Sequence, residues 1–155
     1  MDAVALTGDE RRFLEELDAR GVPYMIVGLT AALMQGANTV TIDIDLWFES
    51  TSDPRIAEAA RAAGGLFISG FGMMPAQLGG SLDRFDLVFS MTGLGRFSEE
   101  LAGARSMQFE GVPTKVLPLE RVLASKRAAN RPKDKIVIPA LEEALAGIEG
   151  DKLKG

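Results

Sequence analysis

Thr41-Ile42-Asp43-Ile44-Asp45-Leu46-Trp47-Phe48-Glu49 carries the clearest periodicity in the chain. Apolar residues at 42, 44, 46 and 48 alternate with Thr41, Asp43, Asp45, Trp47 and Glu49, the period of two that marks a half-buried β-strand. This reading places Ile42, Ile44, Leu46 and Phe48 in a core. It projects both aspartates from the other face, with Cβ atoms about 7 Å apart. Carboxylates at that spacing can converge on one or two cations. Left bare on a buried strand they would be strongly disfavoured. For the pair alone, a wet face of an open sheet is the competing explanation. An EF-hand is excluded, because Trp47 and Phe48 stand where its second ligand pair and glycine belong.

Upstream, residues 9–20 carry Phe13, Leu14 and Leu17 at helical spacing and stop at Gly21. Tyr24-Met25-Ile26-Val27 reads as a short strand ending at Gly28, and residues 30–35 as a short helix closed by Gly36. Downstream, Pro54 opens an alanine-rich helix that stops at Gly64-Gly65, and Leu66-Phe67-Ile68 is a further strand. Residues 70–80 contain glycines and Pro75 and read as a loop, with Met73 and Met74 as alternative core contacts. Residues 84–90 alternate again, with Phe85, Leu87 and Phe89 on one side and Asp86 on the other. Residues 107–117 resemble a hairpin turning at Glu110-Gly111, in which Pro113 is tolerable only near an edge. A helix follows Pro118, Asn130-Arg131-Pro132 breaks it, and Asp134 can cap a last helix that Pro139 should kink or delay. Mixed strands and helices in this order give an α+β fold, an α/β sandwich, and one domain over residues 1–155.

Composition narrows the chemistry. Among 155 residues there are 17 Lys+Arg against 22 Asp+Glu, a formal charge of −5, which argues against a broad basic nucleic-acid face. His and Cys are both absent, which removes Ser-His-Asp and Cys-His catalysis, His or Cys zinc sites and disulfides. Carboxylates remain, and they favour hard, oxygen-loving ions such as Mg²⁺. Adding Asp86 to Asp43 and Asp45 sharpens the point, because like charges about 4 Å apart repel by roughly 4 kcal/mol at an effective dielectric of 20. The first nine residues lack a basic start and a long apolar run, and no stretch of 18 apolar residues occurs. The expectation is a cytoplasmic protein with no membrane partner.

The order Val27-Gly28, short helix, Gly36, then Thr41-Ile42-Asp43-Ile44-Asp45-Leu46 resembles the signature of the polymerase-beta-type nucleotidyltransferase superfamily. Phe85-Asp86-Leu87 is similar to its third-acid strand. Residues 111–117, Leu123-Ala124-Ser125-Lys126-Arg127 and Arg131-Pro132-Lys133-Asp134 extend the likeness to small bacterial nucleotidyltransferase-like proteins related to abortive-infection toxins. The resemblance spans residues 21–145 and implies a nucleotidyltransferase fold, a mixed sheet with helices packed on it. It also implies two Mg²⁺ ions held by three acids and a nucleoside triphosphate (ATP or another NTP) as substrate. Asp43 and Asp45 would bind the metal–nucleotide, and Asp86 would help deprotonate the acceptor hydroxyl. Gly28, Leu29 and Thr30 would line the phosphates, with Lys126, Arg131 and Lys133 as neighbouring cations. The implied acceptor is a hydroxyl on RNA, protein or a small molecule, and the implied partner an antitoxin-like protein.

Leu29 occupies the second position of the expected Gly-Gly or Gly-Ser turn, Thr39 stands where relatives commonly carry arginine, and Val137 replaces an acid. These departures define the competing reading, a catalytically inactive module that keeps the fold for protein interaction. A metal-carboxylate phosphohydrolase shares the acids and would release free phosphate instead of pyrophosphate.

Overall fold

The computed structural model describes residues 5–154. Its centre is a five-stranded mixed sheet in the order β5-β2-β1-β7-β6, accompanied by six helices and a separate two-stranded sheet. In chain order the strands are β1 (Met25–Val27), β2 (Ile44–Trp47), β3 (Leu66–Ile68), β4 (Gln77–Gly79), β5 (Phe85–Val88), β6 (Arg105–Phe109) and β7 (Val112–Val116). The helices are α1 (Gly8–Ala19), α2 (Gly28–Met34), α3 (Pro54–Ala62), α4 (Phe97–Ala102), α5 (Leu119–Ala129) and α6 (Pro132–Lys154). Among the described residues, no helix is long and apolar enough to cross a membrane.

Two helix starts have a clear local cause. Thr7 and Glu10 form a reciprocal capping box at α1, Oγ1 accepting the Glu10 amide at 3.1 Å and Oε1 the Thr7 amide at 2.9 Å. Asp53 accepts the Arg55 amide at 2.9 Å ahead of Pro54, which has no amide to lose at the first position of α3. Packing then sets two groups of helices, α1 with α3 and α2 with α5 and α6. Phe13 of α1 meets Phe85 of β5 at a ring separation of 5.3 Å, and Trp47 meets Phe97 edge-on at 5.8 Å.

Several expectations change. The strand expected over residues 41–49 is shorter, and Ile42 is 75% exposed. Thr30 and Thr41 hydroxyls both donate to the Asp43 carbonyl at 3.0 Å, so that oxygen serves a bend ahead of β2. Trp47, which the alternation puts on the same side as the aspartates, is fully buried as a packing residue, because β2 lies between β1 and β5. Residues 77–79, read as loop, pair with β3, and Met73 and Met74 are exposed. Helix α4 is an addition. Pro113 lies inside the sheet order, yet β7 meets β1 only at the Ile26–Val116 register, so no neighbour requires an amide from Pro113 on that side. Helix α6 begins at Pro132 and continues through Pro139.

Candidate active site

Two sheet registers bring the candidate residues together. Val27, the last residue of β1, faces Asp45 across an antiparallel pairing, and Asp45 is in register with Asp86 of the parallel strand β5. Asp45 and Asp86 are therefore neighbours on one sheet face, close enough for each carboxyl group to act on the other. Gly28 follows Val27 with φ +66°, and a Cβ there would stand 2.5 Å from Asp45 Oδ2. Only glycine meets both demands, the left-handed backbone and the close approach to the acid.

The electrostatics are those of uncompensated acids. Burial, then the charge of Asp86, pushes the Asp45 carboxyl up to about 6, against a pull from Lys126. Asp86 is raised as well, by burial and by Asp43, with Asp45 opposing. Asp43 itself is exposed at the bend and acts on the pair through its charge. Thus β2 and β5 join Asp45 to Asp86, and Asp43 stands beside them instead of on a shared strand face.

The donor set suits Mg²⁺ by its chemistry. Mg²⁺ takes oxygen ligands and is commonly held by one or two carboxylates, with water and substrate phosphates completing the shell. Asp45 and Asp86 are such a pair. Among the described residues no three acidic side chains converge as a ready-made metal cluster. The arrangement fits an ion shared with a nucleotide's phosphates and does not fit a preformed three-carboxylate cage.

The remaining candidates divide. Thr30 is buried with its hydroxyl on the Asp43 carbonyl, so it shapes the bend that carries the acid. Leu29 packs against the hydrophobic core. Val27 offers no side-chain cap to the first turn of α2, which leaves its amides without a side-chain acceptor. Buried Gln35 anchors α5: its amide donates to the Ala31 and Leu117 carbonyls at 3.0 and 2.9 Å, and its Oε1 accepts the Leu119 amide at 2.9 Å. That anchoring sets Lys126, whose charge reaches Asp45 and whose Nζ lies 3.5 Å from Asp134 Oδ1. Arg131 is committed to Asp134 through Nε at 2.7 Å and Nη2 at 3.1 Å, while Lys133 is exposed on the first turn of α6.

Asp134, which the sequence suggests only as a cap, is 1% exposed and organises both cations. The Arg131 hydrogen bonds hold its carboxyl down to about 2. A cation three residues before an acid is the local trace of this arrangement. A cleft of about 380 Å³ adjoins Asp86, bounded by Pro75 and Gln77 on one side and Asp83 and Leu87 on the other.

No protein-family model matches the chain, and no curated protein matches it in sequence. Solved structures do. The crystal structure of ANT(2'')-Ia in complex with adenylyl-2''-tobramycin is 18% identical, with a TM-score of 0.57 over 92% of this chain and 89% of that one. The solution structure of the antibiotic-resistance factor ANT(2'')-Ia is 14% identical, with a TM-score of 0.55 over 93% of this chain and 95% of that one. The chain therefore has the α+β nucleotidyltransferase fold.

Proposed function

We propose that this chain is a Mg²⁺-dependent nucleotidyltransferase that moves a nucleoside monophosphate from an NTP to a hydroxyl acceptor, with residues 1–155 acting as one domain. The observation that carries this reading is the Asp45–Asp86 pair, in register across β2 and β5 with the Gly28 turn pressed against Asp45. In this reading Asp45 and Asp86, with Asp43 beside them, would hold two ions together with the triphosphate, which would supply charge compensation for the phosphates and polarise the phosphorus centre. The acceptor oxygen attacks the α-phosphorus, the bond to the β-phosphate bridging oxygen breaks, and pyrophosphate leaves. The acceptor proton passes to Asp86, whose raised proton affinity suits a base. Gly28, Leu29 and Thr30 offer backbone amides to phosphate oxygens; α2 has only seven residues, so these amides matter more than any macrodipole. Lys126, whose charge reaches Asp45, would face the phosphates, with Lys133 as a further cation and Arg131 positioning Asp134.

For the acceptor, the structural neighbour's adenylyl-2''-tobramycin supports a small-molecule hydroxyl. An acid-lined cleft beside Asp86 suits a neutral or cationic acceptor better than RNA. The toxin-like role and antitoxin-like partner rest on the sequence resemblance alone. The test is incubation of the chain with α-labelled NTPs, Mg²⁺ and separate pools of amino-sugar alcohols, RNA and protein. Transfer of label with pyrophosphate release supports the proposal. Release of free phosphate would replace it with a phosphohydrolase, and absence of both transfer and nucleotide binding with the inactive module.

A further inference from the structure

The β3–β4 hairpin carries an unusual outer side. Phe67 pairs with Leu78 across the two strands and both turn inward, Leu78 buried and Phe67 packed against the core. The alternate positions point away from the molecule. A Cβ on Gly79 would stand 3.4 Å from Ile68 Cδ1 and 3.5 Å from Leu66 Cβ, so these two side chains share the outer face. An antiparallel pair with one packed face normally turns polar residues to water. Here Leu66 and Ile68 are 60% and 50% exposed. At the turn Phe71 is 86% exposed, Met73 fully so, and Met74, bridged to Phe71 through the backbone, is exposed as well.

Charge is missing from the same segment. A quarter of the chain is charged, yet no charged side chain lies between Arg61 and Asp83. Edge strands are commonly blunted by lysine or proline. β3 carries neither, and among the described residues no backbone group outside β4 bonds to it.

We propose that this outer face is the contact between two copies of the chain, related by a two-fold axis at the hairpin. Area and charge both select a second copy. Five large side chains, half to fully exposed, offer on the order of 700 Å² per copy, close to the ~800 Å² that each partner contributes to a standard stable interface. Two chains of formal charge −5 repel where their charged surfaces meet, and an uncharged face meets no such penalty. The same lack of charge gives a charged partner nothing to recognise. A two-fold contact needs a patch that matches itself, as an uncharged apolar one does. Leu66, Ile68, Phe71, Met73 and Met74 of each copy replace water on those of the other. The contact does not depend on the transferase reading, since none of the five belongs to the acid centre.

The experiment is sedimentation velocity of the full chain over a dilution series up to about 200 µM, a range that reads moderate dissociation constants. The expected result is a reversible monomer–dimer equilibrium that added salt does not weaken. Ile68→Lys and Met73→Lys should each weaken the dimer at least tenfold, because each sets like charges against one another across the axis. Both side chains are exposed in the single chain, so circular dichroism of the dilute variants should match that of the dilute unaltered chain, which separates lost association from lost folding. Ile136→Lys, at an exposed aliphatic of α6, should leave association unchanged. A chain that stays monomeric over the series, a dimer that either hairpin variant leaves intact, one that Ile136→Lys disrupts equally, or open oligomers that grow with concentration would overturn the proposal.

Discussion

Two kinds of carboxylate arrangement coexist in this molecule. Glu10 and Asp134, each about 1% exposed, have guanidinium partners: Arg84 meets Glu10 at 2.8 and 2.5 Å, and Arg131 meets Asp134 at 2.7 and 3.1 Å. Burial pushes Glu10 up, but the Arg84 and Thr7 hydrogen bonds outweigh it, and both acids lie below the ordinary range. Asp45 and Asp86 face each other instead and lie above it. The first kind holds elements together, Glu10 tying α1 to the entry of β5 and Asp134 tying α5 to α6. The second, partly buried at Asp45 and exposed at Asp86, sets like charges side by side, and at Asp45 it opposes folding once the carboxyl ionises.

Breaking each kind should have opposite consequences. The largest expected effect is on turnover: Asp86→Asn should lower the rate of nucleotidyl transfer by about 10³-fold with the fold intact, measured by steady-state pyrophosphate release and circular dichroism. Next is Arg84→Met, which leaves Glu10 buried without its partner and should destabilise the chain by about 3 kcal/mol in urea denaturation. Asp45→Asn should do the reverse, adding about 1–3 kcal/mol at pH 7 in the absence of divalent ions while abolishing transfer. Because folded Asp45 keeps its proton up to about pH 6 and an unperturbed one releases it near 3.8, the native chain binds more protons between those values. Its contribution to stability therefore falls as pH rises through that window, and Asp45→Asn should flatten that slope. The smallest effect is on binding: metal–nucleotide affinity should weaken severalfold as pH drops from 7 to 5.5, as Asp45 protonates, in calorimetric titrations at fixed ionic strength.

Local pattern carried much of this arrangement. The strand, glycine, helix order over residues 24–35, the Asp-x-Asp alternation and the third acid at Asp86 are legible because each depends on neighbours within a few residues. Non-local causes hid the rest. The strand is shortened at Asp43 by the Thr30 hydroxyl, which comes from thirteen residues away. Strand β4 leaves little trace in the sequence, because Leu78 is its one buried apolar residue and its partner lies across a glycine-rich turn. The role of Asp134 depends on α5 and α6 closing over it, and no periodicity reports that. Leu29 reads from sequence as an obstacle at the phosphate turn, whereas in the structure it is partly buried and packs against the core.

The most direct test of the central idea, that Asp45 and Asp86 together hold a cation–triphosphate, is a titration of Mn²⁺ with a non-hydrolysable NTP analogue, followed by solvent proton relaxation. The unaltered chain should show saturable ternary-complex enhancement that Asp45→Asn and Asp86→Asn each abolish while remaining folded. Enhancement of equal size and affinity in both variants, or none in the unaltered chain, would contradict it.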